Sequence, residues 1–294
     1  MTIFIGMTVF NGERHLRSAL VSLLDQTHRD FTLVIVDDGS RDSSVEIITE
    51  FEKKDSRIRV IKHCERNGAI AAWKRAFDYA LEQNAKFFAW ASDHDLWDTR
   101  WLELLSQTIQ NNEHIALVYP QTIRIDDNGR QLNLISPKFE TKDFTVENRI
   151  RKLRNDGHGY GDMIYGLFRM SYLKKTGIYR RLLLPDTVTI WEISLIGMIV
   201  QIHKGLWYRR YVDLFSIERQ KRTLFLVPPW YTHLPYWLVN PITIAIQRPV
   251  NLKDCSTINA IFVRLLLGLS YGITFGLLEL KRSVKSILRC IFTN

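Results

Sequence analysis

The first part of the chain alternates between short apolar runs and longer segments in which apolar side chains recur with helical spacing. The apolar runs have the length of buried strands and occupy residues 3–9, 31–36, 58–61, 86–92 and 116–119. Between them, the spacing predicts helices over residues 12–25, 43–53, 69–81 and 101–109. Because strands that alternate with helices form mostly parallel sheets, the pattern predicts an α/β fold with helices on both faces of the sheet.

Polar side chains stand at the carboxyl ends of three predicted strands, which is the edge where open α/β sheets bind ligands. They are Thr8 and Asn11 after the first strand, Asp37 and Asp38 after the second, and Asp93 and Asp95 after the fourth. Two acids two positions apart on an extended backbone point to one side, and their charges repel unless a cation lies between them. The alternative is that these acids cap the helices that follow, which fits the Asp-Gly-Ser sequence equally well.

The two common phosphate-binding loops, GxGxxG and GxxxxGK[ST], do not occur in the sequence. Their absence disfavours dinucleotide-binding and P-loop proteins. An acidic sheet edge binds a phosphate when a divalent cation bridges the carboxylate and phosphate oxygens. The acidic pairs therefore indicate a metal-assisted phosphate site.

Four segments occur in a fixed order along the chain: MTVFNGERHL, SLLDQTHRDFTLVIVDDGSRDSS, NGAIAAWKRAF and WASDHDLW. Together they resemble the family 2 glycosyltransferases of the GT-A fold, over roughly residues 1–210. The resemblance implies transfer of a sugar from a nucleoside diphosphate donor, usually one of uridine or thymidine. It also implies inversion at the anomeric carbon.

The resemblance assigns roles to the polar residues at the sheet edge. It places Thr8 and Asn11 in the nucleotide pocket, Asp38 at the uracil and Asp37 beside the ribose. Asp93-His94-Asp95 falls on the metal-binding DxD motif, whose carboxylates would hold Mn²⁺ or Mg²⁺ against the donor diphosphate. We expect Asp95 to be the direct metal ligand and Asp93 to lie closer to the ribose. His94 either turns into the fold or adds an imidazole ligand, which Mn²⁺ accepts.

The third predicted helix departs from the family pattern. The family often carries an Arg-Asn pair there that contacts the donor, whereas this register gives Trp73-Lys74-Arg75. Lys74 is the candidate donor-binding cation and Arg75 is the alternative to it. Both residues equally fit a solvated helix face.

An inverting transfer needs a general base that takes a proton from the acceptor hydroxyl. In LLLPDTVTIWEISLIG, Asp186 stands where the family places this base, and Pro185 replaces the acid that many relatives carry beside it. A helix cap is the alternative role for Asp186, and Glu192 is the second candidate base. His158 lies on a glycine-rich stretch on the predicted acceptor side.

The C-terminal part of the chain supplies the whole net charge of +9. Residues 1–199 contain 27 Lys+Arg and 27 Asp+Glu, whereas residues 200–294 contain 13 and 4. This asymmetry predicts an anionic partner for the basic part. Nucleic acid is disfavoured because the basic residues alternate with aliphatic runs and not with aromatic stacking platforms.

The composition of residues 211–294 predicts a second region that lies on an anionic membrane surface. Residues 223–247 contain no charged side chain and are rich in Trp, Tyr and Pro. The tail interleaves basic with apolar residues, and its cations are Lys281, Arg282, Lys285 and Arg289. The alternatives are an ordinary packing helix or homodimer contact, and a true membrane span.

Three widely separated cysteines without metal-site spacing fit a reducing compartment. The sequence also begins without a basic leader or a small-residue cleavage site. We therefore expect residues 1–210 to work on the cytoplasmic face of the plasma membrane. The expected reaction moves a sugar from a UDP-sugar to a hydroxyl of a glycan or lipid-linked acceptor in envelope polysaccharide synthesis. The alternatives are a nucleotidyl- or phosphotransferase with the same metal–diphosphate site, and a non-catalytic nucleotide-binding module.

Overall fold

The computed structural model describes residues 2–156, 160–211, 216–246, 268–277 and 280. Its strands are β1 (Ile3–Val9), β2 (Phe31–Asp37), β3 (Ile58–Lys62), β4 (Phe87–Ala91), β5 (Leu96–Trp97), β6 (Ile115–Ile125), β7 (Gln131–Ile135), β8 (Leu167–Arg169) and β9 (Met198–Arg210). Its helices are α1 (Glu13–Leu24), α2 (Ser44–Lys54), α3 (Ala69–Glu82), α4 (Trp101–Gln110), α5 (Val146–Asp156), α6 (Tyr160–Met163), α7 (Met170–Leu173), α8 (Pro185–Ile196), α9 (Ile217–Leu224), α10 (Tyr236–Ile246) and α11 (268–277).

The strands form one mixed sheet in the order β3-β2-β1-β4-β8-β6-β9-β5, with β7 paired to β6. The first four strands along the chain are parallel to one another, as predicted. The sheet becomes mixed at β8, which runs antiparallel to both β4 and β6. The expected last strand at residues 116–119 is the start of the longer β6, because β6 pairs with β9 along its whole length. The predicted α/β fold is confirmed.

Helices cover both faces of the sheet because each carries one apolar stripe. Helix α1 buries Leu16, Ala19, Leu20 and Leu23 on one face, where it shares a core with α4. Helix α3 buries Ile70, Ala72, Ala76 and Phe77 on the other face, where it shares a core with α8. Gly6 permits this close packing, since a Cβ there would lie 2.7 Å from the ring of Phe88.

The strand register brings the polar strand ends together. Val9 at the end of β1 is paired with Asp37 at the end of β2, and Met7 is paired with Ala91 at the end of β4. The residues that follow these strands therefore meet at one edge. At the other end of the strand order, β5 pairs antiparallel with the last residues of β9, with Leu96 opposite Tyr208.

The described C-terminal helices pack into the same core as the sheet. Tyr271 and Phe275 of α11 contact the indole of Trp191 on α8, with ring centroids 5.5 and 6.3 Å apart. Leu224 and Phe225 at the end of α9 belong to the same core. No helix among the described residues combines the length and the apolarity that crossing a bilayer requires. The basic tail, Lys281, Arg282, Lys285 and Arg289, lies outside the described residues.

Candidate active site

A cavity of about 640 Å³ opens at the carboxyl edge of β1, β2 and β4. Its polar and aromatic lining comes from Thr8, Asn11, Asp38, Trp73, Asp93, His94 and Tyr165. Its cationic lining comes from Arg14, Arg66, Arg219 and Arg222. A cavity with a carboxylate floor and an arginine rim has the electrostatic pattern for a metal-bound or arginine-bound polyphosphate.

Asp38 fixes the start of α3 beneath this cavity. Its Oδ2 accepts the backbone N–H of Gly68 over 2.8 Å, and its Oδ1 accepts that of Asn67 over 2.9 Å. Nδ1 of His63 lies 2.9 Å from Oδ1. Gly68 adopts φ 92°, a conformation that glycine reaches without strain. Asp38 therefore holds the backbone at the start of α3, and not that of the helix after β2, and it also forms part of the cavity wall.

Asp37 lies beside Asp38 but faces a neighbouring cavity of about 380 Å³. The residue is 3% exposed, and Oδ2 accepts the backbone N–H of Ser40 over 3.3 Å. The other oxygen, Oδ1, is buried and has no hydrogen-bond partner within the described part of the chain. Phe10 and Arg66 border both cavities, so they separate the surroundings of Asp37 from those of Asp38.

Asn11 and Thr8 stand at the end of β1. Asn11 has φ 52°, the left-handed conformation that asparagine tolerates best among residues with a Cβ. Its Oδ1 accepts the backbone N–H of Arg41 over 2.9 Å, and its own N–H donates to Oγ of Ser40 over 3.0 Å. These two bonds hold the turn after β1 against the turn after β2. The side-chain oxygen of Asn11 therefore helps to hold the rim of the cavity in place.

The two acids of the Asp93-His94-Asp95 motif face different surroundings. Asp93 lines the cavity, and its Oδ1 lies 2.7 Å from Nδ1 of His94. Asp95 is 1% exposed; its Oδ2 accepts a hydrogen bond from Oγ of Ser92 over 2.5 Å. Its Oδ1 accepts the backbone N–H of Arg210 over 2.8 Å. Both oxygens of Asp95 are thus bonded to the fold, while Asp93 presents a carboxylate to the cavity.

His94 also lines the cavity and does not turn into the fold. Burial lowers its pKa, but the hydrogen bond to Asp93 and the charges of Asp95 and Asp93 more than offset this effect. The net result is a pKa above the ordinary value for histidine. The backbone oxygen of His94 accepts a bond from Nε of Arg210 over 2.6 Å, which anchors the motif to β9.

The residues present fit a divalent cation that is held mainly by its phosphate ligands. Asp93 offers a hard oxygen ligand at the cavity wall, and His94 an imidazole beside it. Among the residues that the structure describes, no group of three or more acidic, histidine or cysteine side chains could form a complete metal cage. Mg²⁺ and Mn²⁺ sites in phosphate-binding proteins commonly use one or two carboxylates and complete their shell with substrate oxygens and water.

Asp186 lies in the first turn of α8. Leu184 before the helix has φ 54°, and Pro185 occupies the first helical position, where its missing N–H costs nothing. Oδ1 of Asp186 is buried without a hydrogen-bond partner among the described residues. Burial raises the pKa of the Asp186 carboxyl, and the amide of Thr187 and the charge of Arg209 oppose this effect only in part. A carboxylate with a raised pKa is suited to accept a proton.

The second candidate base, Glu192, is buried inside the protein. Its Oε1 pairs with Arg180, and its Oε2 accepts the backbone N–H of Gly177 over 2.8 Å. Both oxygens therefore hold the segment that leads to α8. This arrangement gives Glu192 a structural role, which leaves Asp186 as the candidate base. His158 lies outside the described residues.

Residues 4–177 match the family model described as glycosyl transferase family 2, which is more than half of the chain. The chain belongs to glycosyl transferase family 2. Its relatives include an uncharacterized glycosyltransferase of Methanocaldococcus jannaschii, 30% identical over 48% of this chain and 49% of the relative. Another is WfgD of Escherichia coli, named UDP-Glc:alpha-D-GlcNAc-diphosphoundecaprenol beta-1,3-glucosyltransferase, 28% identical over 50% of this chain and 55% of the relative. The chain spans about half the length of the curated relatives it matches.

Solved structures share the fold across nearly the whole chain. S. aureus TarS 1–349 superposes with a TM-score of 0.61 at 16% identity, over 90% of this chain and 71% of that chain. The same fragment in complex with UDP-GlcNAc gives a TM-score of 0.59 at 17% identity, over 90% and 72%. The mannosyltransferase PcManGT of Pyrobaculum calidifontis, in complex with GDP-Man and Mn²⁺, gives 0.53 at 11% identity, over 95% and 86%. The predicted GT-A fold is confirmed.

Four of the predicted donor- and metal-site residues of this family member line the cavity, namely Thr8, Asn11, Asp38 and Asp93. Asp37, Asp95 and Lys74 do not line it. Lys74 pairs with Asp78 over 3.2 Å and lines a separate cavity on the other side of α3. Trp73, one position earlier, faces the main cavity and stacks on Tyr179 with ring centroids 4.6 Å apart. One residue along a helix is a rotation of about 100°.

Sequence reasoning missed the cations that do line the cavity. Arg66 follows β3, while Arg219 and Arg222 lie three positions apart on α9 and so share a helix face. Nη2 of Arg66 donates to the backbone oxygen of Arg222 over 2.6 Å, which joins α9 to the cavity rim. The only signal for α9 in the sequence is the basic excess of residues 200–294, which equally fits an anionic membrane partner.

Proposed function

We propose that this protein is a metal-dependent glycosyltransferase that moves a sugar, with inversion, from a UDP-sugar to an acceptor hydroxyl. One observation carries the proposal: a single cavity joins the nucleotide-side residues to Asp93, and Tyr165 in its wall lies within electrostatic reach of both Asp93 and Asp186. The charges of both acids add to the burial that raises the pKa of Tyr165, which supports a position for Asp186 near this cavity. The UDP-GlcNAc complex of TarS, which has the same fold, supports the choice of a UDP-sugar.

The nucleotide is bound by the ends of β1 and β2. Thr8, Asn11 and Asp38 line the main cavity, and Asp37 supports the turn after β2 from the neighbouring cavity. The indole of Trp73, held by its stack on Tyr179, offers an apolar wall. Buried acceptors beside an apolar wall suit a pyrimidine ring and its ribose hydroxyls.

The diphosphate is bound between Asp93 and the arginine rim. Asp93 would hold a divalent cation there, with Asp95 supporting the motif from the fold, and that cation would supply Lewis-acid stabilisation of the leaving nucleoside diphosphate. Arg219, Arg222 and Arg66 donate to the phosphate oxygens, because guanidinium groups pair with phosphate bidentately. Their charges reduce the repulsion between the acidic cavity floor and the anionic donor.

In the transfer step, Asp186 takes the proton from the acceptor hydroxyl. The acceptor oxygen forms a bond to the anomeric carbon with the electron pair of its former O–H bond. The bond between that carbon and the β-phosphate oxygen breaks, and its electron pair leaves with UDP. Attack opposite the leaving group inverts the anomeric configuration. The raised pKa of Asp186 lets it hold the proton until the product departs.

The acceptor is a glycan or lipid-linked saccharide of the cell envelope, and the enzyme works on the cytoplasmic face of the membrane. The support is an exposed apolar helix face formed by Leu238 and Ile242 of α10 and by Leu269, Ile273 and Leu277 of α11, each about half exposed. An apolar surface of this kind needs a partner. The WfgD name, which contains a diphosphoundecaprenol acceptor, supports a lipid-linked one here.

The apolar helix face belongs to the C-terminal region, residues 211–294, which we propose as the membrane-associating part beside the catalytic part, residues 1–210. The net positive charge of that region suits anionic lipid headgroups. A homodimer contact through the same face is the second candidate. The membrane is favoured because Trp230, 75% exposed, stands beside the face with an aromatic ring suited to the interface.

The first test is calorimetric binding of UDP with and without Mn²⁺, for the native chain, Asp93→Ala and Asp95→Ala. We expect binding that requires Mn²⁺ and that Asp93→Ala abolishes. Binding that ignores both the metal and the substitutions would refute the metal–diphosphate site.

A second test separates the three candidate activities. Incubation with a panel of UDP-sugars and saccharide acceptors should release free UDP and give a product of inverted configuration, and Asp186→Asn should stop the reaction without weakening UDP binding. With the same UDP-sugars, a nucleotidyltransferase would transfer UMP and release a sugar 1-phosphate, and a phosphotransferase would transfer the sugar phosphate and release UMP. A non-catalytic module would release no product, and Asp186→Asn would change nothing.

A further inference from the structure

The buried carboxylate of Asp162 binds two arginines outside the donor cavity. Asp162 lies in α6 and is 2% exposed. Both of its oxygens accept hydrogen bonds from Nη2 of Arg124 on β6 at 3.0 Å, and Oδ1 accepts one from Nη1 of Arg209 on β9 at 2.6 Å. A buried carboxylate is stable only with such partners. The ion pair between Asp162 and Arg209 fixes one edge of the Arg209 guanidinium, and 36% of the Arg209 side chain is exposed.

The guanidinium of Arg209 and the carboxylate of Asp186 border the same small space beside Gly161. A Cβ on Gly161 would lie 3.3 Å from Oδ2 of Asp186, 3.6 Å from Nη1 of Arg209 and 3.9 Å from Nη2. Glycine therefore keeps this space free of protein atoms. The other carboxylate oxygen of Asp186, Oδ1, is buried without a hydrogen-bond partner among the described residues. A carboxylate that has an unpaired oxygen and lies beside a fixed cation is suited to accept a hydrogen bond from a hydroxyl group.

Arg209 supplies a full positive charge to the surroundings of Asp186. The other titratable groups that face this carboxyl are Tyr165, Tyr179 of the segment before α8, and Tyr271 of α11. Burial raises the pKa of all three phenols, so they remain neutral at physiological pH. The charge of Arg209 opposes the burial that raises the pKa of Asp186. Arg209 thereby favours the ionised carboxylate that a base must present.

We propose that Asp162 and Arg209 are positioning residues for the base: Asp162 fixes Arg209, and Arg209 keeps Asp186 ionised and orients the acceptor hydroxyl that enters beside Gly161. The inference rests on the proposed function, because it takes Asp186 as the base. The proposal adds Asp162 and Arg209 on the acceptor side to the residues that line the donor cavity. The ligand that this group receives is a hydroxyl-bearing saccharide, which both a guanidinium and a carboxylate bind through hydrogen bonds.

The test measures the titration of Asp186 directly and needs neither donor nor acceptor. The full chain is labelled with isotope-enriched aspartate, its carboxyl resonances are followed by NMR against pH, and Asp186→Asn identifies the signal. We expect Arg209→Gln to raise the pKa of Asp186 by about one pH unit or more, because an opposite charge at this range is removed. Arg209→Lys should raise it less, since lysine keeps the charge but loses the planar contact with Asp162.

Arg124→Gln is the matched control. Arg124 binds the same carboxylate of Asp162 but is not among the largest influences on the pKa of Asp186. It should leave the titration of Asp186 unchanged. Gly161→Ala is the complementary variant, because its methyl group would lie 3.3 Å from Oδ2 of Asp186 and make the surroundings of the carboxylate less polar. It should raise the pKa of Asp186 while the affinity for UDP stays at the native value.

An unchanged titration in Arg209→Gln would overturn the proposal, and so would an equal shift in Arg124→Gln, which would show a general loosening around Asp162. The UDP affinity of each variant, measured in parallel, shows that the fold and donor site are intact. If Asp186→Asn retains full transfer activity, the proposed base is wrong whatever the titration shows. If Asp186→Asn is inactive and Arg209→Gln titrates like the native chain, the proposed function stands and this inference fails.

Discussion

The backbone N–H of Arg210 donates a hydrogen bond to Oδ1 of Asp95 over 2.8 Å, which joins the end of β9 to the loop after β4. The side chain of Arg210 strengthens this connection, because its Nε donates to the backbone oxygen of His94 over 2.6 Å. Its Nη1 also donates to the backbone oxygens of Asp126 and Asp127, between β6 and β7. The buried acid of the motif is therefore a structural anchor. Asp93, two positions earlier, is the acid that faces the cavity.

Asp93 and Asp95 should consequently respond differently to alanine substitution. Asp95→Ala leaves the N–H of Arg210 and the hydroxyl of Ser92 without their acceptor, and each buried unpaired group costs roughly 1–3 kcal/mol. We expect its free energy of unfolding to fall by about 2–4 kcal/mol in urea titrations. Asp93→Ala should lose less than about 1 kcal/mol and abolish Mn²⁺-dependent UDP binding. Equal stability losses in the two variants would contradict the assignment.

Gly12 should be required for the position of Asp93. A Cβ on Gly12 would lie 2.6 Å from Oδ2 of Asp93, a distance at which one of the two must move. We expect Gly12→Ala to weaken UDP binding in the presence of Mn²⁺ by about tenfold, or roughly 1.4 kcal/mol. Gly276→Ala is the control, because its nearest contact is an ordinary 3.4 Å to the ring of Trp237. An affinity for UDP equal to that of the native chain in Gly12→Ala would contradict this reading of the site.

The arginines of α9 should bind the donor phosphates, whereas Lys74 should not. Arg219→Gln and Arg222→Gln should each weaken UDP binding about tenfold, since a hydrogen bond between charged groups contributes about 1.5–3 kcal/mol. Both variants should leave uridine binding unchanged, because uridine carries no phosphate. Lys74→Gln removes a cation from the opposite side of α3 and serves as the control. A stronger effect on UDP binding from Lys74→Gln than from the α9 variants would restore the donor role first expected for Lys74.

The raised pKa of Asp186 lowers the free energy of unfolding at neutral pH, where the carboxyl is driven to ionise. The folded state binds its proton more tightly than the unfolded state, so ionisation costs folding free energy as the pH rises above the ordinary value, near 4, towards the folded pKa. Asp186→Asn removes this cost. We expect it to raise the melting temperature at neutral pH, and the gain should vanish at a pH below the ordinary aspartate value. A gain of equal size at both pH values would show that ionisation of Asp186 is not its cause.

The apolar helix face should bind anionic membranes. The triple variant Leu269→Asp, Ile273→Asp and Leu277→Asp should reduce sedimentation with phosphatidylglycerol vesicles by at least about tenfold, because each buried aliphatic side chain contributes about 1.5–3 kcal/mol. Leu134→Asp, an equally exposed leucine on β7, is the control. Native binding that is lost in high salt would show the contribution of the basic residues. If the triple variant binds vesicles like the native chain but changes its sedimentation velocity, the face is a dimer contact.

Much of the fold was predictable from local pattern. Strands β1 to β4 and helices α1 to α4 lie where the spacing of apolar residues placed them. The short strand β8 was not predicted, because three residues carry too little periodicity. Its antiparallel insertion between β4 and β6 turns an expected parallel sheet into a mixed one.

The sequence by itself determined which strands end in acids, because the parallel strand order and the turn residues after β1, β2 and β4 are local properties. Only the tertiary structure decided which of those acids faces the cavity and which cations accompany them. Oδ1 of Asp95 accepts a hydrogen bond from the backbone N–H of Arg210, which is 115 residues away along the chain. Lys74 lines a separate cavity, although Trp73, one position earlier on α3, lines the main one. Arg222 of α9 lines the main cavity although it is distant in the sequence from β1, β2 and β4. Such choices depend on the rotation of a packed helix and on long-range contacts, and neither leaves a periodic trace in the sequence.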